Sequence, residues 1–242
     1  MKPFLLLATR PEDDAADGEY ASFLQFTGLA PQKLRRFRLE QAPLPPIDLD
    51  DYSGIFLGGS PFNSGETHKS ELQRRVEGDL NRLLADVVAR DFPFFGACYG
   101  VGTLGLLAGG VLDTTYSEPV SAVEVEVTPQ GAQDPLLAGM PPRFAAYVGH
   151  KEALSQLPPG AVLLATAQSC PIQMFRLGRN MYATQFHPEL DEAAIVTRIY
   201  TYANHGYFPP ETRDEVITAV RGAPVGSAHQ LLSAFAQRYA RE

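Results

Sequence analysis

The amino-acid sequence predicts an α/β protein, a doubly wound α/β/α sandwich with a mostly parallel central sheet. Up to Gly110, short apolar segments alternate with segments of helical apolar spacing, which is the pattern of βαβ units. After Gly110, apolar segments follow one another between Pro- and Gly-containing turns. That second pattern is typical of strands that are antiparallel or lie at a sheet edge.

The predicted elements alternate along the first part of the chain. A long amphipathic helix is expected over residues 69–90, because its apolar side chains recur at helical spacing along one side. The expected strands are residues 4–8, 33–40, 52–59 and 92–98, followed by 120–128, 143–153, 161–167, 172–178 and 181–187. The other expected helices are residues 19–30, 100–108, 191–206, 209–222 and 227–242.

Composition restricts the possible partners and the compartment. The chain has 242 residues, enough for one large domain or one domain with an appendage. Its formal net charge of -8 argues against nucleic acid and against an anionic membrane surface as partners. Two cysteines provide no disulfide framework, and the first apolar segment is too short for a signal peptide or a membrane span. We therefore expect a cytoplasmic protein that acts on small molecules.

One cysteine stands where a strand is expected to turn into a helix. Cys98 lies in "GACYGVG", where Gly96, Gly100 and Gly102 leave room for a strained turn. Such a turn displays the side chain at its apex and places it at a helix N-terminus, where the helix dipole favours a thiolate. Taken alone, the segment is equally compatible with a small buried thiol.

A histidine and a glutamate end another apolar strand, in "FHPEL". A cysteine nucleophile needs a base, and the base needs a third group that fixes its tautomer. His187 and Glu189 could supply both, although a capping histidine with a first-turn glutamate would also explain the segment. The two motifs together, each at a strand end, favour a Cys-His-Glu triad.

A pair of glycines closes a third strand, in "GIFLGGSP". Backbone N–H groups at such a turn can bind the oxyanion that forms during acyl transfer. Gly59 and Tyr99, the residue after the cysteine, are the expected donors.

In this order the three motifs resemble those of the class I (triad) glutamine amidotransferases, particularly the glutaminase domain of GMP synthases. The family pattern is a Gly-Gly-Pro-type strand end, then G-x-C-x-G-x-Q, then H-P-E; this chain has "GGSP", "GACYGVG" and "FHPEL". The similarity covers residues 1–205, so we expect a glutamine amidotransferase-like domain there. Residues 206–242 are expected to be a helical extension packed on the same domain.

The resemblance implies a flavodoxin-like fold and assigns roles to individual residues. Cys98 would be the nucleophile, His187 the base and Glu189 the carboxylate that orients it. Gly59 and Tyr99 match the positions of the oxyanion hole. Residues expected at the substrate are Gly58, Gly102, Val148, Gly149 and His150, although His150 could equally be a hydrogen-bonded loop histidine.

The implied reaction is hydrolysis of the glutamine side-chain amide through a γ-glutamyl thioester. The ammonia would pass to a separate synthetase or ligase subunit. No cofactor is implied, and no metal site is expected, because four further residues lack the spacing of metal ligands: His68, His205, His229 and Cys170.

Two departures from the family pattern keep alternatives open. Ser60 stands where the family usually has proline, and Gly102 stands where it has a glutamine that contacts the substrate. We expect Gly102 to leave an open space, and therefore weak binding of glutamine or a preference for a bulkier amide. The alternatives are a free-standing γ-glutamyl hydrolase and a non-catalytic regulatory module with the same fold.

Overall fold

The computed structural model describes residues 1–242, which form eleven β-strands and six α-helices. The strands are β1 (Phe4–Ala8), β2 (Leu34–Arg38), β3 (Ile55–Leu57), β4 (Phe94–Ala97), β5 (Val111–Asp113), β6 (Glu118–Val127), β7 (Arg143–His150), β8 (Ala153–Gln156), β9 (Val162–Thr166), β10 (Met174–Leu177) and β11 (Met181–Thr184). The helices are α1 (Asp13–Thr27), α2 (Glu71–Ala89), α3 (Tyr99–Leu107), α4 (Glu192–Thr201), α5 (Arg213–Val220) and α6 (Gly226–Tyr239). None of the helices has both the length and the apolar character required to cross a membrane.

Nine strands form one central sheet in the order β2-β1-β3-β4-β11-β10-β9-β6-β7. The first five are parallel to one another, whereas β10, β9, β6 and β7 add to this half through antiparallel pairings. A small antiparallel pair, β5 with β8, lies outside the sheet. The α/β class, the parallel centre and the antiparallel pairing of most strands after Gly110 are therefore as the sequence predicts; β11, which lies in the middle of the sheet and parallel to β4, is the exception.

Helices cover both faces of the sheet. On one face, α1 and α6 pack against the strands, and the rings of Phe56 and Phe235 meet edge to face at 5.1 Å between centroids. On the other face, Leu80 of α2 and Leu104 of α3 are fully buried against strand residues. This two-sided coverage is the predicted α/β/α sandwich. It also explains why the central strands are almost wholly apolar, since their residues are buried on both faces.

The C-terminal helices contribute to the interior. Leu231, Leu232 and Phe235 of α6 are completely buried, and the hydroxyl of Tyr147 on β7 donates to the carbonyl of Val220 at the end of α5 at 2.8 Å. Helix α4 ends at Thr201, five residues before the predicted end, and the chain then turns through Gly206, whose φ of 74° favours glycine. A domain boundary at residue 205 stays a prediction.

Candidate active site

Three neighbouring parallel strands bring the three sequence motifs to one edge of the sheet. Strand β4 pairs with β3 on one side and with β11 on the other. Gly59 follows the end of β3, Cys98 the end of β4, and His187 the end of β11. The carboxyl ends of parallel strands form the crevice in which open α/β sheets bind ligands.

Cys98 occupies a strained turn between β4 and α3. Its φ of 53° and ψ of -79° are uncommon for a residue other than glycine. The turn is held by a 2.7 Å hydrogen bond from its N–H to the carbonyl of Thr184, and Gly96 is required because a Cβ there would lie 2.6 Å from the Cα of Gly100. Cys98 is partly exposed, whereas Cys170 is completely buried. The thiol of Cys98 is therefore displayed at the N-terminus of α3.

His187 is fixed between Cys98 and Glu189. Its backbone N–H donates to the carbonyl of Tyr147 at 2.9 Å, and Nδ1 of its ring lies 2.7 Å from Oε1 of Glu189. Because Nδ1 faces a carboxylate, it carries a proton, which leaves Nε2 available to the Cys98 thiol. This is the geometry of a base oriented by a carboxylate.

The charges of His187 and Glu189 stabilise each other. Burial alone lowers the pKa of His187, but Glu189 and then Cys98 more than offset it and raise that pKa to about 9. Burial alone raises the pKa of Glu189, but His187 and Arg198 outweigh it and lower that pKa to about 2. The pair therefore favours an imidazolium beside a carboxylate.

A second buried carboxylate, Glu19 of α1, lies behind the His187–Glu189 pair. Its Oε1 accepts from Nε of Arg10 at 3.0 Å, from Nη2 of Arg198 at 3.0 Å, and from the N–H of Gly59 at 3.2 Å. Nη1 of Arg198 in turn lies 3.2 Å from Oε1 of Glu189. These contacts join His187, the predicted base, to Gly59 at the end of the predicted oxyanion strand. The side chains that make them, Glu19 and Arg198, were not singled out by the sequence patterns.

The two predicted oxyanion donors, the N–H groups of Tyr99 and Gly59, differ in whether they already have a hydrogen-bond acceptor. Tyr99 is the first residue of α3, so its N–H has no acceptor within the helix and lies next to the thiol. The N–H of Gly59 is directed to Glu19, and that of Gly58 donates to the carbonyl of Leu7 at 3.0 Å. A Cβ at Gly58 would clash with the Glu19 carboxylate, so this glycine packs against Glu19 and lines neither cavity described below.

A polar cavity of about 350 Å³, including its open mouth, lies on one side of Cys98. The carboxylate of Glu152 reaches its wall and accepts from the N–H groups of Ser64 and of Gly65, the latter at 2.8 Å. No cationic side chain forms an ion pair with Glu152, and its burial raises the pKa of the carboxyl. Gln185 also lines this cavity, with its Nε2 4.0 Å from Sγ of Cys98.

The expectation of an open space at Gly102 is wrong. A Cβ at residue 102 would lie 2.8 Å from Oγ of Ser64 and 3.1 Å from its Cβ. Ser64 belongs to the loop that Glu152 holds through backbone N–H groups, and Gly102 lines the polar cavity together with Ser64. Gly102 is required for this close approach.

The residues of β7 that were expected at the substrate divide into two groups. Gly149 lines the cavities on both sides of Cys98, and Val148 lines the one beside His187. His150 reaches the polar cavity, but its Nε2 lies 2.7 Å from Glu118 and its Nδ1 lies 3.0 Å from the carbonyl of Glu152. Both ring nitrogens of His150 are thus engaged within the protein.

A second cavity, of about 480 Å³ including its open mouth, lies on the His187 side of the thiol. Ser60, Cys98, Gly149 and Tyr207 line both cavities, which therefore meet at the thiol. The cavity beside His187 is mainly apolar; its apolar side chains include Val120, Val148, Leu190, Ile195, Ile199 and Phe208. We call it the apolar cavity.

Three residues with metal-ligand chemistry also come together at a separate buried point. Glu118, His150 and Cys170 have ligand atoms within 4.8 Å of one another. Glu118 already accepts from His150, from Gln173 at 2.8 Å and from Ser169, and the thiol of Cys170 is directed at the carbonyl of Ile172. Burial raises the pKa of Cys170 to about 12. Hydrogen bonds within the protein account for this group.

One of the residues that the sequence analysis missed, Arg198, could have been identified from the sequence. Arg198 shares the buried face of α4 with Ile195 and Ile199 at helical spacing, and an arginine on such a face requires a buried carboxylate partner. The pattern could therefore have identified Arg198, but its partner Glu19 lies 179 residues away in the sequence.

A family model supports the same classification. The model described as glutamine amidotransferase class-I matches residues 31–208. A relative from Methanobrevibacter smithii, one of the subunits of a glutamine-hydrolyzing GMP synthase, is 25% identical over 145 residues, which are 60% of this chain and 67% of that relative. The glutamine-hydrolyzing GMP synthase of Salmonella typhimurium is 28% identical over 144 residues, 57% of this chain and 25% of that enzyme.

Solved structures show the same fold over nearly the whole chain. A glutamine amidotransferase from Thermotoga maritima superposes with a TM-score of 0.74 at 18% identity, covering 98% of this chain and 99% of its own. A glutamine amido transferase from Methylobacillus flagellatus gives a TM-score of 0.74 at 17% identity, covering 100% and 97%. At these identities the likeness concerns the fold alone.

Proposed function

The chain belongs to the class-I glutamine amidotransferase family, and from this membership we propose that it hydrolyses the side-chain amide of glutamine through a thioester on Cys98. One observation carries the proposal. The thiol of Cys98 is displayed at a helix N-terminus and lines the same cavity as His187, whose Nδ1 lies 2.7 Å from Oε1 of Glu189. This arrangement supports the assignment of a nucleophile, a base and an orienting carboxylate to these three residues.

The proposed reaction proceeds in two steps. The Cys98 thiolate forms a bond to the amide carbon, the C–N bond breaks, and the proton on Nε2 of His187 passes to the departing ammonia. Water then attacks the γ-glutamyl thioester while His187 takes up its proton, and the C–S bond breaks to release glutamate. The Tyr99 N–H and the Gly59 N–H, once it is released from Glu19, would stabilise the oxyanion in each step.

Charge in the polar cavity supports an amino acid as the substrate. Glu152 contributes a carboxylate that forms no ion pair, and Lys151 lines the same cavity. The free amino group of glutamine is an ammonium at neutral pH and would complement that charge. Its side-chain amide would then reach Cys98 at the end of the cavity.

The proposed fate of the ammonia is transfer to a separate acceptor enzyme. The relatives from Methanobrevibacter smithii and Methanothermobacter thermautotrophicus are each named as one of the subunits of a glutamine-hydrolyzing GMP synthase. A synthetase or ligase on another chain is therefore the proposed partner, and no cofactor is needed for the hydrolysis itself.

The test is the release of ammonia and glutamate from glutamine by the purified chain and its variants. Cys98→Ala should abolish turnover, and His187→Ala should do so almost as completely. Glu189→Gln should keep partial activity, since general base catalysis contributes about 10²–10⁴-fold and the imidazole itself remains. Cys170→Ala, in the buried thiol that lies away from the site, is the matched control and should keep wild-type activity.

Wild-type activity in Cys98→Ala would refute the proposal. Absence of turnover in the wild type on every γ-glutamyl amide, with and without partner, would favour a non-catalytic regulatory module.

The apolar cavity favours a second candidate function, a free-standing γ-glutamyl hydrolase. The amine that leaves the substrate must lie near His187, which protonates it, and the cavity beside His187 is lined mainly by apolar side chains. An alkyl group on the amide nitrogen would bury apolar surface there, with a gain of about 0.8 kcal/mol per methylene.

A series of γ-glutamyl amides separates the two candidates. Values of kcat/KM for glutamine and for its N-methyl, N-ethyl and N-propyl derivatives should fall with size if the chain is a glutaminase. A steady rise, with fast turnover in the absence of any partner, would favour the hydrolase.

A further inference from the structure

Four buried charges lie directly behind His187 and form one continuous chain. The carboxylates of Glu19 and Glu189 alternate with the guanidinium groups of Arg10 and Arg198, so the formal charges of the four groups cancel. Glu19 and Glu189 are completely buried in their side chains, and those of the two arginines are less than a tenth exposed. Removing one member would leave an uncompensated charge in the interior.

Arg198 is the member that reaches the proposed triad. Its Nη1 lies 3.2 Å from Oε1 of Glu189 and 3.3 Å from Nδ1 of His187. Since the proton on Nδ1 is directed at Glu189, the acceptor for Nη1 is Glu189 rather than the ring. Nη2 of the same guanidinium donates to Oε1 of Glu19 at 3.0 Å, so Arg198 bridges two carboxylates.

The Glu189 carboxylate has few other contacts. Its Oε2 has no hydrogen-bond partner, and Oε1 receives only His187 and Arg198 from other side chains. A carboxylate held by a single flexible ring could rotate about its side-chain torsions, whereas a second donor in a fixed position restricts it. The position of Arg198 is itself fixed from the far side by Glu19.

We propose that Arg198, anchored by Glu19, is a positioning residue that holds Glu189 against His187 and thereby keeps the imidazole aimed at Cys98. Arg198 does not touch the reacting atoms and acts through Glu189. The inference rests on the proposed function, in which Cys98, His187 and Glu189 form the triad.

Arg198 also affects the charge on His187. The groups that face the ring are Cys98 from the start of α3, Glu189 from the following turn and Arg198 from α4, with Glu19 and Arg10 behind Arg198. The guanidinium is the only fixed positive charge in contact with the ring and opposes its protonation. Loss of this charge alone would make His187 hold its proton to higher pH, whereas release of Glu189 from the ring would make it lose its proton at lower pH, so the two effects of Arg198 oppose each other.

The experiment compares Arg198→Gln, Arg198→Lys and an exposed control, Arg143→Gln on β7. For Arg198→Gln we expect kcat for glutamine to fall by roughly ten- to a hundredfold, the equivalent of one hydrogen bond to a charged group, with KM little changed. Arg198→Lys keeps the charge but not the bridge and should recover part of kcat. Arg143, which is 60% exposed and pairs only with Glu124 and Glu126, should have no effect.

A second measurement does not depend on turnover. The imidazole of His187 is titrated by NMR in labelled protein, with its signal assigned from His187→Gln. The midpoint in Arg198→Lys, which keeps the charge but not the bridge, should fall, because Glu189 is then held less closely against the ring whose pKa it raises, whereas Arg143→Gln should titrate as the wild type does. A merely structural role for Arg198 would lower the folded fraction without moving the midpoint.

The outcomes separate the two proposals. Folded Arg198→Gln and Arg198→Lys proteins with wild-type kcat, and an unmoved His187 midpoint in Arg198→Lys, would overturn the inference, whatever the substrate is. If Cys98→Ala and His187→Ala retain full activity, the proposed function fails instead, and the titration still decides whether Arg198 acts on His187. Should Arg198→Gln not fold, Arg198→Lys decides, since undiminished kcat without the bridge would equally overturn the inference.

Discussion

Nδ1 of His187 lies 2.7 Å from Oε1 of Glu189, and neither side chain has more than a small exposed fraction. Burial by itself would disfavour a charge on either group. Because they face each other, each keeps its charge over a wider pH range than in an unfolded chain. The pKa of His187 is raised from 6.5 to about 9, and that of Glu189 is lowered from 4.5 to about 2.

The first prediction concerns stability against pH. The folded protein binds the His187 proton more tightly than the unfolded chain, so its contribution is complete below pH 6.5 and is lost as pH rises through about 9. The free energy of unfolding should therefore fall by about 2–3 kcal/mol more in the wild type than in His187→Gln between about pH 7 and about pH 10. Denaturant unfolding across this range measures the difference.

A matched control for that experiment is His68→Gln, which changes an exposed histidine. It should show the full wild-type decline, whereas Glu189→Gln should lose most of it, because only Cys98 then remains to raise the pKa of His187. On the acid side, Glu189 contributes fully above pH 4.5 and its contribution disappears as pH falls towards 2. A decline of wild-type size in His187→Gln would exclude the pair as its cause.

The second prediction is selective alkylation of one thiol. A chloroketone analogue of glutamine should label Cys98, which is partly exposed and lines both cavities. Cys170 should stay free, since it is completely buried and its pKa is raised to about 12. Peptide mass analysis identifies the labelled residue, and excess glutamine should slow the reaction. Label mainly on Cys170 would contradict the proposed nucleophile.

The placement of the motifs could be predicted because it follows from local patterns and sheet geometry. Gly96 and Gly100 around Cys98 indicate a strand-to-helix turn, and the apolar strand before His187 indicates where that strand ends. Parallel strands then bring such ends to one edge, but the pattern after Gly110 did not predict that the strand before His187 would be parallel to β4. Helix bounds were less accurate at 201–206, where the chain turns after Tyr202.

The contacts that could not be predicted join segments far apart in the sequence. Glu19 and Arg198 come from the first and fourth helices, and no local pattern specifies that their side chains meet. The contact between Ser64 and Gly102 likewise depends on how Glu152 holds a loop. A glycine in a motif shows only that a Cβ is absent, not which neighbour occupies the space.

The third prediction follows from that contact. The family pattern alone predicts that Gly102→Gln improves glutamine binding. The structure predicts the reverse, because a Cβ there would lie 2.8 Å from Oγ of Ser64 and displace the loop that lines the polar cavity. Gly102→Ala should raise KM for glutamine by roughly five- to tenfold with little change in kcat, the lower part of the usual cost of overpacking.

Steady-state kinetics on a double variant test the cause. Adding Ser64→Gly to Gly102→Ala removes the opposing side chain and should restore most of the affinity. Gly78→Ala is the control, since it lies in a helix with nothing within 4 Å of an added Cβ. It should leave KM unchanged and stabilise the protein by about 0.5–1 kcal/mol. Equal KM values in the wild type and Gly102→Ala would show that the loop moves aside without affecting the binding of glutamine.

The last prediction concerns dependence on a partner. The N–H of Gly59 is 3.2 Å from Oε1 of Glu19 and is therefore not available to an oxyanion at Cys98, which leaves the Tyr99 N–H as the adjacent donor. Loss of one oxyanion donor typically costs about 10²–10³-fold in kcat. The isolated chain should therefore hydrolyse glutamine slowly.

A co-encoded synthetase that turns the Gly59 amide towards the thiol should raise kcat by up to that factor while KM changes little, because the donor acts mainly on the transition state. Glutaminase assays with and without the synthetase measure this ratio, with Cys98→Ala as the blank. An isolated chain that already turns over glutamine at the rate of the complex would show that the Gly59–Glu19 contact does not limit catalysis.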